Sequence, residues 1–115
     1  AVDVRPAGDG RIVCRVSVAW DEQVHRAEAV AMDLPGAAAQ AAAQAAVRAL
    51  ASAGLDGLEL SGLREVEIAG RDYVLVALRR EDGPVVRHRS GSALMFGTPE
   101  RSAAEAAVDA VNELI

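Results

Sequence analysis

Aromatic residues are nearly absent from this chain: Trp20, Tyr73 and Phe96 make up 3% of it. Hydrophobic residues nonetheless reach 51%, which excludes a disordered chain and leaves Val, Leu, Ile and Ala to build the core. Small side chains let helices lie close to a sheet, but each removes little area from water, at roughly 25 cal/mol per Å². Modest monomer stability and further burial in a homodimer are therefore expected. Cys14 is the single cysteine, so no internal disulfide can form. It reads as a small buried hydrophobe in a reducing compartment, which points to the cytoplasm. Lysine is missing altogether. The 12 basic residues are all Arg, 17 residues are acidic, and the net charge is −5. That balance argues against nucleic acid or an anionic membrane as partner, because both reward clustered positive charge. No apolar run reaches the roughly 18 residues of a membrane-spanning helix. The 115 residues suit a single domain.

What the chain does contain is a repeat at an offset of sixty-one residues, without a gap. Val13 matches Val74, Asp21 matches Asp82, Val24 matches Val85, Arg26 matches Arg87 and Gly36 matches Gly97. Two halves follow, at about 1–54 and 55–115. The polar stripes of two helices agree with this offset: Gln40, Gln44, Arg48 and Ser52 against Arg101, Glu105, Asp109 and Glu113. A repeat of this kind predicts a pseudo-twofold fold with two equivalent loops.

The elements follow from periodicity. Ile12 to Trp20 alternates as a half-buried strand, and Val24 to Met32 returns as its hairpin partner across Asp21-Glu22-Gln23. Pro35-Gly36 opens a helix running to about Ala53. Leu58 to Ala69 reads as a strand broken near Ser61-Gly62, and Gly70-Arg71-Asp72 as a turn. Tyr73 to Arg80 and Val85 to Phe96 form a second hairpin across Glu81-Asp82-Gly83-Pro84. Gly91 fits a bulge or a close backbone approach. Thr98 and Pro99 mark the start of the second helix. The repeat makes residues 1–5 a first strand and Pro6 to Gly10 a loop. The expected fold class is α+β: two pseudo-twofold βββα repeats, strands in one sheet, and two helices on one face of it.

Catalytic sets are not evident, so no enzymatic activity is expected. His25 and His88 do not coincide under the offset, and no Cys, His and Asp cluster has ligand spacing, so no metal is expected. No phosphate-binding glycine motif is present, and no cofactor is expected. Glu59, Glu65 and Glu67 alternate on one predicted face; paired carboxylates can do acid–base work, but a solvated strand face is much the plainer explanation. Arg79, Arg87 and Arg89 on one hairpin form a candidate anion clamp, with Arg79 and Arg87 as cross-strand neighbours. A solvated hairpin end is the plainer explanation. The strand-to-helix loops, Met32 to Ala37 and Ala93 to Thr98, each place a glycine before a helix N-terminus. Free backbone N–H groups there can hold a carboxylate, while the same glycines also simply permit a tight turn.

The order of hairpin, glycine loop, alanine-rich helix and linking strand, repeated and ending in AAVDAVNELI, resembles a known family. It is similar to the C-terminal regulatory (LeuA allosteric or dimerisation) domain of 2-isopropylmalate synthase and citramalate synthase, at low identity and without the catalytic barrel. Ser90-Gly91-Ser92-Ala93 resembles the family's Gly- and Ser-containing stretch before the second helix. The resemblance implies a dimerising regulatory domain. It also implies a small metabolite, an amino acid or oxo acid, at Leu34, Pro35, Gly36 and Ala37 of the first loop and Ser90, Gly91, Ser92, Gly97 and Thr98 of the second. The functional expectation is a non-enzymatic regulatory or assembly domain. The alternative is a protein-interaction module that uses an exposed sheet face and takes no small ligand. An RNA-binding α-β-β-β-α module is disfavoured by the acidity.

Overall fold

The computed structural model describes residues 1–113. The alternation of Ile12, Cys14, Val16 and Val18 places four apolar side chains on one face of β2 (Arg11–Trp20), and all four are buried. This strand is flanked by β1 (Val2–Gly8) and β3 (Gln23–Met32) in an antiparallel meander. Helix α1 (Ala37–Ser52) follows. The second half repeats the order with β4 (Leu58–Ile68), β5 (Arg71–Asp82), β6 (Val85–Leu94) and α2 (Pro99–Asn112). The βββα-βββα arrangement is the one expected. The strands, however, divide into two three-stranded sheets, β1-β2-β3 and β4-β5-β6, rather than joining in one. Each helix covers the hairpin that precedes it, and the two helices pack on one another. That contact joins the halves. It also explains why α1 is buried over a wide arc, from Ala39 to Leu50.

The repeat has two offsets. In the hairpins, Arg11 opposite Met32 corresponds to Tyr73 opposite Leu94, and Trp20 opposite Gln23 corresponds to Asp82 opposite Val85. Those pairs give sixty-two, not sixty-one. The difference decides the core, because a shift of one residue moves a strand's side chains to the other face. Under sixty-one, Cys14 would match Leu75; in the structure its counterpart is Val76, buried like Val74 and Leu78. The identities Val13/Val74 and Arg26/Arg87 therefore pair residues on opposite faces. In the helices sixty-one holds. Buried positions 41–43, 45, 46, 49 and 50 of α1 correspond to 102–104, 106, 107, 110 and 111 of α2.

Four boundaries also differ from expectation. β1 continues through Pro6 to Gly8 with a register shift between Pro6 and Gly8, where a loop was expected. The turn after β4 is Ala69-Gly70, since Ile68 pairs with Arg71. The first hairpin turns on Asp21-Glu22 alone, both with positive φ (54° and 64°), as the primed two-residue turns require. The second turns on Gly83-Pro84, with Glu81 and Asp82 still in β5. The expected break near Ser61-Gly62 is a register shift between Leu60 and Gly62.

Each helix also shares one side-chain hydrogen bond with the outer strand of its hairpin. Arg48 of α1 donates to the Glu28 carbonyl of β3 at 2.9 Å. Its counterpart Asp109 of α2 accepts from the Ser92 N–H of β6 at 3.0 Å. Each bond occupies one outward backbone group of an edge strand.

Candidate functional site

The two strand-to-helix loops share a glycine but not a conformation. In the first, Gly36 itself is the N-cap, left-handed at φ 81°, and no side chain caps the helix. The Ala37 N–H is taken by the Leu34 carbonyl at 2.9 Å. In the second, Gly97 (φ 79°) precedes the cap, and Thr98 caps α2 by accepting from the Arg101 N–H at 3.3 Å. This loop absorbs the one-residue difference between strand and helix offsets. Ser102, which corresponds to Ala41, is buried and ties the loop down. Its hydroxyl accepts from the Phe96 N–H at 3.2 Å and donates to the Leu94 carbonyl at 3.4 Å. Among the described residues no side chain ties the first loop in this way.

The other predicted site residues scatter. Gly91 is buried beneath α2: a Cβ there would stand 2.3 Å from the Ala106 carbonyl oxygen and from the Ala110 nitrogen. Of the two readings of Gly91, the close approach is the one realised. Ser90 and Ser92 are exposed on the opposite face of β6. Leu34, Pro35, Gly36, Gly97 and Thr98 are exposed, and Ala37 is half-buried.

The arginines do not form the expected clamp. Arg79 lies opposite His88, while Arg87 lies opposite Arg80 and Arg89 opposite Leu78. Arg79 therefore projects from the face away from α2, and Arg87 and Arg89 from the other, because facing residues alternate along a strand. Arg79 is held between Glu81 at 2.6 Å and Glu59 at 3.6 Å. Arg89 reaches the Glu113 carbonyl at 3.3 Å. The carboxylates also part. Glu59 faces Arg79, but past the register shift Glu65 faces Val74 and Glu67 faces Asp72, on the other side of the sheet.

Cys14 is fully buried, and burial pushes its thiol from 9.0 up to about 11, with the charges of Glu100 and Asp3 adding to the shift. A thiol this hard to ionise is a poor nucleophile. Among the described residues no group of His, Cys, Asp and Glu could hold a metal ion. No helix among them is long and apolar enough to cross a membrane.

No family model matches the chain, and no curated protein matches it. The likeness to a LeuA-type regulatory domain thus rests on the residue pattern alone.

Two features escaped the sequence reading. One is a groove of about 790 Å³ between β1, β2 and α2, which takes in Thr98 but none of the other predicted ligand residues. The other lies on the sheet faces turned away from the helices. There, Val13 pairs with Val30, Met32 follows on β3, and Leu34 stands in the loop, 64% exposed. At the sixty-two offset Val13, Met32 and Leu34 correspond to Leu75, Leu94 and Phe96, the last 79% exposed, while Val30 corresponds to the polar Ser92. Reading the repeat at sixty-two would have aligned these two patches. The identities at sixty-one concealed them.

Proposed function

We propose that the chain is a non-enzymatic assembly domain that forms a homodimer through the helix-free faces of its sheets. One observation carries this reading: apolar residues recur at corresponding places in both halves, Val13 and Met32 on one sheet with Leu34 in the loop after it, and Leu75 and Leu94 on the other with Phe96 in its loop. Exposed apolar surface that recurs at matched positions marks an interaction face more than chance exposure does. Self-association would also add the burial that an alanine-built core lacks. A regulatory role, with an amino acid or oxo acid at the loops before the helices, rests on the LeuA-like pattern and on the two loop glycines.

Sedimentation velocity across a dilution series tests the reading. A concentration-dependent dimer is expected for the native chain, and a monomer for Phe96→Asp combined with Leu34→Asp. These side chains are mostly exposed, so the double variant should keep its circular dichroism spectrum. A native chain that stays monomeric at millimolar concentration would overturn the proposal. For the ligand, a thermal-shift series with branched-chain amino acids and oxo acids is the direct measurement. A rise in Tm that disappears in Gly97→Val would support the loop site, since a ligand bound only to the native state stabilises it.

A further inference from the structure

The helix-free face of the second sheet is apolar at the end near the Ala69-Gly70 turn. Val66, Tyr73 and Leu94 lie side by side across β4, β5 and β6, with Ile68 and Leu75 in the neighbouring rows. Ile68 is 57% exposed, and Leu75, Leu94 and the loop residue Phe96 are exposed as well.

Two cations border this patch. Arg64 lies opposite Leu75 and Arg71 opposite Ile68, so both project from the face that carries it. Both are exposed, and among the described residues neither is in an ion pair. Glu59 and Glu81 share this face but stand at its other end, engaged by Arg79. Glu65, Glu67 and Asp72 turn to the helix side of the sheet. In a chain of net charge −5 this corner is therefore cationic. The first sheet differs. Arg11 stands beside its patch, opposite Met32, but Asp9 lies in the adjoining turn and Asp33 in the adjoining loop. That turn and loop are adjacent, since the Asp33 N–H donates to the Gly10 carbonyl at 2.8 Å.

A two-fold contact through the second patch would bring like charges together. Such an interface places the same surface on both sides, and the charges that border this surface are positive. Taking an unpaired charge out of water is costly unless a counter-charge accompanies it. Arginine's planar fork suits oxyanions, which it can hold bidentately. A single open sheet face gives such an ion no enclosure, whereas a second copy closing over it does.

We propose that a multivalent oxyanion is held between Arg64 and Arg71 of one copy and the same two residues of a second copy, and that dimerisation is linked to this anion. The site rests on the dimer proposed above and makes the second sheet its contact face. The ion supplies the negative charge that the patch lacks, while the apolar side chains around it supply the burial.

Sedimentation velocity of the full chain over a dilution series, in sodium pyrophosphate and in sodium chloride of equal ionic strength, tests the site. Equal ionic strength makes general screening the same in both. The dimer is expected to be at least roughly ten times tighter in pyrophosphate, the effect of one anion at about ten times its own dissociation constant. Arg64→Gln combined with Arg71→Gln should dimerise equally in the two salts. Arg11→Gln, on the first sheet, should keep the native preference. Equal dimer constants for the native chain would overturn the anion and leave the dimer standing. A native chain that stays monomeric in both salts at millimolar concentration would overturn the dimer and the site with it. A preference for pyrophosphate that survives in the double variant, or is lost in Arg11→Gln, would refute the assignment to the second sheet. Flotation of the native monomer with phosphatidylglycerol vesicles, absent in the double variant, would replace the enclosed ion with an anionic lipid surface.

Discussion

Gly91 shows how one residue sets the spacing between two elements. In the hairpin frame its counterpart is Ala29, which is buried beneath α1 and keeps its methyl group. Beneath α2 the same methyl would meet backbone atoms of Ala106 and Ala110, and backbone cannot rotate out of the way. Gly91→Ala is therefore expected to cost at least ~2 kcal/mol, near the upper end for overpacking a closed site, as read by urea denaturation. The other residue-scale expectation concerns Cys14. Its folded pKa, about 11, lies above the unfolded value near 9, so the native state holds the proton more tightly. This contribution is complete below pH 9 and is lost as pH rises through 11. Native stability should fall over that window, and Cys14→Ala should flatten the fall relative to the native chain. In the folded state at neutral pH the thiol should resist alkylating reagents.

At the scale of elements, turn chemistry carries information that periodicity alone does not. The β4–β5 turn places Ala69 at φ 53°, a left-handed conformation that suits Asn far better than Ala. Ala69 is exposed, and Gly70 follows it in the second turn position. Ala69→Asn creates the favoured two-residue hairpin sequence and should stabilise by about 0.5–1 kcal/mol, measurable as a rise in the urea midpoint. The helices respond to different constraints. Their faces toward the sheets and toward each other are almost all alanine, and alanine alone does not say which of two faces meets a sheet and which meets a helix. The polar stripe settles that question by exclusion, which is why both helix phases were legible before any coordinates. Strand partners were less so. Val13 and Val74 look equivalent in a chain rich in valine, yet only one of them points into the core.

At the scale of the molecule, α1 and α2 join two sheets that share no backbone hydrogen bonds. The core is continuous across that contact, running from Cys14 through Ala45 to Val74 and Ala107. Because its side chains are small, stability at this scale should depend on burial gained by association. The Tm of the native chain is accordingly expected to rise with protein concentration, and that of the Phe96→Asp, Leu34→Asp variant to be independent of it. Scanning calorimetry over a wide concentration range reads both. The site residues expected around the two glycine loops were legible as loops. The sequence could not show that one loop is tied by Ser102 and the other is not, nor that Arg79 leaves its hairpin neighbours for the other face.

The sequence by itself determined the α+β class, the βββα repeat, the positions of all six strands and two helices to within a few residues, and the buried arc of each helix. These follow from local periodicity, capping and turn residues, which act over a few positions. Tertiary structure alone decided the split into two sheets and the sixty-two-residue correspondence of the hairpins. Each of these depends on backbone pairing between distant segments. A one-residue change of register there reverses every side chain, while leaving the local pattern of the sequence intact.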